Sequence, residues 1–131
     1  MTKINWKDLL EWNENQLEDL RIVGFTYIKQ GKYDIALHFF KALNILQPNN
    51  SYNLQTLGAI YLEMGKNLDA LKYIDKSLKI SPNHNLSLLN KGKALLSLGY
   101  KKQGLIQIKS LFNCGEDKIS SQAKALEMTY S

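Results

Sequence analysis

Residues able to do chemistry are few in this chain and lie far apart. Cys114 is the single cysteine. A nucleophilic thiol needs a base beside it to hold it as thiolate, and neither His38 nor His84 is near it in sequence. Cys114 therefore reads as a small, partly buried apolar residue. His38 falls on an expected helix and His84 in an expected loop, each as a solvated or structural residue. No His, Cys, Asp and Glu set has metal-ligand spacing. The glycines punctuate apolar helical segments instead of gathering in a phosphate-cradling loop. No enzyme activity, metal or cofactor is expected. The Asn-x-Ser triplets at Asn49 and Asn85 carry meaning only in an exported chain.

Size and charge narrow the partner classes. The chain has 131 residues, of which 44% are hydrophobic, enough for one domain with an apolar core and too few for two. No apolar run approaches the roughly 20 residues that span a bilayer, so no membrane insertion is expected. Asp8, Glu11 and Glu14 would spoil the core of a signal peptide, which leaves a cytoplasmic address. Net charge is +5, with Arg21 the only arginine. Lysines such as Lys41, Lys72, Lys76, Lys79 and Lys109 are interspersed with carboxylates, as on solvated helix faces, and arginine forks for phosphate or base recognition are lacking. Nucleic acid is not an expected partner, whereas a basic balance suits an acidic one.

The organising feature is a repeat. Gly24, Gly58 and Gly92 recur every 34 residues, as do Gly31, Gly65 and Gly99. Ala36, Ala70 and Gly104 form another column, Pro48 and Pro82 another, and Tyr27 and Tyr61 are in step with Leu95. Gly24, Gly58 and Gly92 sit within helical patterns, where glycine costs about 1 kcal/mol against alanine. That recurring cost implies close approach of a neighbouring helix, with Ala36, Ala70 and Gly104 as the expected opposing residues. Gly31, Gly65 and Gly99 suit left-handed helix ends. Pro48 and Pro82 stop the second helices, and the Asn and Ser residues after them suit N-caps.

These signals predict helices over 16–30, 33–46, 50–64, 67–80, 84–98 and 101–112, and no strand. Two flanking helices are expected. One, over 5–14, places Trp6, Leu9 and Leu10 on one side, where with Trp12 they either pack on the first repeat or form a patch that closes a dimer. The other, over 120–129, is capped by Ser120 or Ser121, turns Ala123, Leu126 and Tyr130 inward, and closes the open end.

The columns resemble the tetratricopeptide repeat (TPR) family. Its signature is matched by Leu20, Val23-Gly24, Tyr27, Ala36, Phe40 and Pro48, then by Leu54, Leu57-Gly58, Tyr61, Ala70, Ile74 and Pro82. The third repeat is weaker, with Leu88, Lys91-Gly92, Leu95, Gly104 and Ile108. The resemblance implies an all-α solenoid forming a single domain over 1–131. Its parts are an N-terminal helix (1–15), repeats at 17–50, 51–84 and 85–118, and a capping helix (119–131).

TPR arrays bind ligands along a concave groove lined by the first helix of each repeat. Carried over by position, the groove would comprise Arg21, Phe25 and Ile28, then Tyr52, Gln55, Ala59 and Leu62, then Leu86, Leu89, Lys93 and Leu96. Glu18, Lys29, Glu63 and Ser97 flank them. Phe25, Ile28, Tyr52, Leu62, Leu86, Leu89 and Leu96 would make that groove apolar, although a helical stripe can equally belong to the core. The chain departs from the co-chaperones that clamp heat-shock protein C-termini. Arg21 and Lys93 match two of their cations, but Phe25 and Ala59 stand where the clamp has asparagines.

Within the family, the chain resembles the TPR-type chaperones of bacterial type III secretion. Gly24-Phe25, Gly31-Lys32-Tyr33-Asp34-Ile35-Ala36, Phe40-Lys41-Ala42-Leu43 and Leu46-Gln47-Pro48 carry that likeness. It implies a chaperone that holds a translocator or needle subunit by an extended or amphipathic segment with apolar anchors. The patch of Trp6, Leu9, Leu10 and Trp12 leaves a homodimer through the N-terminal helix as a further expected partnership. A general adaptor assembling a complex without an export role is the alternative reading.

Overall fold

The computed structural model describes residues 12–131. Trp6, Leu9 and Leu10 lie outside the described residues. These form seven helices and no strand: α1 (Glu14–Lys29), α2 (Tyr33–Leu46), α3 (Ser51–Glu63), α4 (Asn67–Ile80), α5 (Asn85–Ser97), α6 (Lys101–Lys109) and α7 (Asp117–Tyr130). The first six pack as hairpins α1–α2, α3–α4 and α5–α6, each against the next, and α7 closes on α5 and α6. The fold is the all-α repeat solenoid expected.

Turns and caps explain where each helix stops. Gly31, Gly65 and Gly99 have φ of +73°, +75° and +92°, the left-handed region that side chains other than glycine's resist. The Gly31 N–H donates to the Ile28 carbonyl and the Lys32 N–H reaches back to Tyr27, both at 2.9 Å. This double bond pattern satisfies the orphan carbonyls of α1, and it recurs after α3 and α5. At the front of α3 the Asn50 side chain accepts from the Asn53 N–H at 3.0 Å. At the matching place before α5 it is His84 whose Nδ1 accepts from the Ser87 N–H, at 3.2 Å. His84 is therefore the helix cap, in place of the Asn and Ser residues expected to cap this helix.

The close approaches at the column glycines differ in detail from expectation. A Cβ on Gly24, Gly58 or Gly92 would lie 2.8 Å from Phe40 Cε2, 2.7 Å from Ile74 Cγ1 or 2.4 Å from Ile108 Cγ2. The glycines thus make room for Phe40, Ile74 and Ile108, which recur at the same interval and are fully buried. Of the expected opposing residues, Ala70 and Gly104 approach through their carbonyls, at 3.5 and 3.7 Å. Gly104 has its own neighbour, because a Cβ there would meet Leu96 Cγ at 2.7 Å.

Both ends of the described residues depart from the expected boundaries. Asn13 has extended backbone and caps α1 reciprocally with Gln16, so no helix runs through 12–14. Trp12 packs against the core formed by α1 to α4. At the other end α6 stops at Lys109, short of the expected 112, and a tight turn through Gly115 (φ +89°) leads into α7. That helix begins at Asp117 rather than 120. Ser120 is inside it, its hydroxyl donating to the Phe112 carbonyl instead of capping. As expected, Ala123 is buried and Leu126 and Tyr130 pack on the same apolar cluster.

Candidate functional site

The first helices of successive hairpins lie side by side, and a concavity opens between α1 and α3. It is an open cleft of about 690 Å³ lined by Glu18, Arg21, Ile22, Phe25, Thr26, Lys29, Asn50 and Tyr52. Phe25 and Tyr52 form its apolar floor, with ring centroids 6.4 Å apart and planes 15° from parallel. They remain 39% and 43% exposed, and Ile22 beside them is 56% exposed. Leu86 continues the line onto α5, one repeat after Tyr52, and is 46% exposed. Exposed aromatic and aliphatic carbon at the mouth of a concavity is the usual composition of a site for an apolar anchor.

Arg21 holds this cleft together. Its Nε donates to Asn53 Oδ1 at 3.2 Å and one terminal nitrogen to Glu18 Oε2 at 2.7 Å. The other terminal nitrogen donates to Gln47 Oε1, which also accepts from Asn53 Nδ2 at 3.3 Å. One planar guanidinium thereby ties α1 to α3 and to the turn that precedes it, a geometry that suits its fixed fork of donors. Asn53 is fully buried, so the Arg21 contact supplies a partner that buried amide needs. Arg21 is thus a strut beneath the cleft rather than a free cation facing a partner.

The phenol of Tyr52 is held above its ordinary pKa, chiefly by burial, with the Glu18 carboxylate adding to the shift while a hydrogen bond with Thr56 and the Arg21 charge oppose it. It stays neutral under physiological conditions and offers a hydroxyl at the edge of an apolar surface.

The remaining expected groove residues fall into three groups. Leu89 and Leu96 are core residues, 0% and 4% exposed, which corrects their placement in the groove. They share an apolar cluster with Ile108, Leu111, Ile119 and Ala123, so the closing helix α7 has turned the end of the groove into interior. Ile28 and Leu62 pack half-buried against the core of the first two hairpins. Gln55, Ala59 and Lys93 are half-buried, with Gln55 donating to Ser51 Oγ at 2.9 Å and Lys93 to Gln122 Oε1 at 3.3 Å. Both cations that matched the heat-shock clamp are therefore engaged within the chain.

Sequence reasoning missed Ile22. Its equivalents one and two repeats on, Thr56 and Asn90, are buried. Ile22 is instead exposed and lines the cleft. An isoleucine at a first-repeat position filled by polar residues in later repeats was the available signal.

The comparisons with known proteins agree with this architecture. The family model described as tetratricopeptide repeat matches residues 52–84. No curated protein sequence matches the chain. Among solved structures, PcrH of Pseudomonas aeruginosa in complex with the chaperone binding region of PopD is 22% identical, with a TM-score of 0.82 over 90% of this chain and 92% of that one. The Yersinia enterocolitica type III secretion chaperone SycD, in complex with a peptide of the translocator YopD, is 19% identical, with a TM-score of 0.82 over 90% and 94%. The Arabidopsis OM64 TPR domain is 17% identical, with a TM-score of 0.78 over 89% and 98%. At these identities the likeness is one of fold. Among the described residues no group of His, Cys, Asp and Glu could hold a metal ion, and no helix is long and apolar enough to cross a membrane.

Proposed function

We propose that this protein is a non-enzymatic binding module that holds a type III secretion client, a translocator or needle subunit, in the cleft between α1 and α3 before export. The observation that carries the reading is the exposed Phe25–Tyr52 pair with Ile22 beside it, an apolar floor 6.4 Å between ring centres at the mouth of an open cleft. A client segment would set one apolar anchor over this pair and run on toward Leu86. The likeness to PcrH and SycD, solved with segments of PopD and YopD, supports a translocator as the client class. A cytoplasmic location follows from this role.

Affinity capture of the tagged full chain from its native cytosol tests the reading, run beside the Phe25→Glu variant. The expected result is one dominant partner with hydrophobic, self-assembling segments, lost from the variant. A spread of soluble partners retained by the variant would replace the chaperone by a general adaptor.

A homodimer through the N-terminal region belongs to the same proposal. Val23 is exposed on α1, whereas its equivalent Leu57 is buried, and Trp6, Leu9 and Leu10 precede that helix in sequence. Light scattering should give a dimer mass that Val23→Glu shifts toward the monomer, and a monomer mass for the unmodified chain would remove this part.

A further inference from the structure

Away from the cleft, three lysines gather over one stacked pair of aromatic rings. Tyr61 of α3 and Tyr73 of α4 stack with centroids 5.5 Å apart. Lys41 of α2 places its Nζ 5.9 Å from the Tyr61 centroid. Lys72 and Lys76 of α4 place theirs 5.4 and 5.3 Å from the centroid of Tyr73. All three lysines are exposed. The ion pairs between described residues are Arg21–Glu18 and Lys91–Asp75, so none of the three has a carboxylate partner there. Asp75, adjacent in sequence to Lys76, is turned to Lys91 at 3.0 Å.

The repeat does not require this cluster. Lys41 occupies the position of Asp75, Lys72 that of His38, and Lys76 that of Ala42, so the hairpin fold forms with other residue types there. Lys72 and Lys76 are spaced i,i+4 on one helix, where like charges weaken the helix. Ring faces attract ammonium groups, but an aromatic quadrupole carries no net charge and leaves the local excess of positive charge standing.

We infer that the surface where Lys41 of α2 and Lys72 and Lys76 of α4 flank Tyr61 and Tyr73 is a second docking site, separate from the cleft, and that its partner is an acidic polypeptide segment. Charge complementarity selects the occupant. The three ammonium groups flank one aromatic pair, each within about 6 Å of a ring centroid, and together suit the neighbouring carboxylates of a short acidic segment. A nucleic acid strand would instead call for an extended basic groove with bases stacked along it.

Fluorescence anisotropy of a labelled hexaglutamate peptide, titrated with the full chain at low salt, tests the inference. Saturable binding is expected, weakened about tenfold or more by the triple change Lys41→Gln, Lys72→Gln and Lys76→Gln. The charge-matched triple Lys101→Gln, Lys102→Gln and Lys109→Gln, and the cleft variant Phe25→Ser, should bind as the unmodified chain does. Absence of saturable binding would overturn the site. Equal weakening by the two lysine triples would overturn it too, reducing the effect to net charge. Displacement of the peptide by a single-stranded oligothymidylate of equal charge, through the same three lysines, would reject the acidic-peptide assignment in favour of nucleic acid.

Discussion

Phe25 and Tyr52, 27 residues apart in sequence, stack across the gap between α1 and α3 at 6.4 Å between ring centroids. Both rings are exposed, so the pair contributes to stability only at the low end for aromatic contacts, about 0.5 kcal/mol. Removing either ring should therefore spare the fold. Phe25→Ser is expected to keep its helical circular dichroism and to lose less than about 1 kcal/mol in urea melts. A larger loss would mean that the pair belongs to the core.

Arg21 should behave in the opposite way. Replacing it with alanine leaves the buried Asn53 amide without its guanidinium donor, a cost of about 2 kcal/mol. Arg21→Lys should recover little, because a compact ammonium cannot span the three acceptors that the fork reaches. Urea denaturation of the two variants gives the comparison, and full recovery by lysine would reduce Arg21 to a simple charge.

The packing at the column glycines makes a third prediction. Alanine is the better helix former by about 1 kcal/mol, yet a Cβ at Gly58 would lie 2.7 Å from Ile74 Cγ1. Overpacking of this kind costs about 1–3 kcal/mol, so Gly58→Ala is expected to lower the midpoint of thermal unfolding. An unchanged or raised midpoint would show that the helices can part without loss.

His84 provides a test of capping. Truncation to alanine removes the acceptor for the Ser87 N–H and should cost about 1 kcal/mol. Asn50 fills the matching position one repeat earlier, so His84→Asn should restore at least the original stability. Chemical denaturation of the two variants measures the difference, and equal losses would assign the effect to packing instead of the cap.

The hairpins were legible because their punctuation is local. A left-handed turn at Gly31 or Gly65 and a stop at Pro48 depend on a few neighbouring residues. The cleft was legible in part. Phe25, Tyr52 and Leu86 are exposed where the repeat positions place them, but Leu89 and Leu96 are interior because Ile119 and Ala123 of α7 share their cluster. Arg21 looked like a groove cation because its acceptors Gln47 and Asn53 lie 26 and 32 residues away. Asn13 was read into an earlier helix, though its pairing with Gln16 is a short-range capping box that local reading could have found.

The central claim is that the cleft between α1 and α3 is where a client binds. Its most direct test is calorimetric titration of the captured partner's binding segment into the unmodified chain, Phe25→Glu and Tyr52→Glu, with circular dichroism as the check on folding. A carboxylate set into the apolar floor should weaken binding by about thirtyfold or more, since loss of a central anchor costs about 2 kcal/mol or more, while the helical signal is kept. An unchanged Kd in both folded variants would contradict the account and place the client elsewhere on the solenoid.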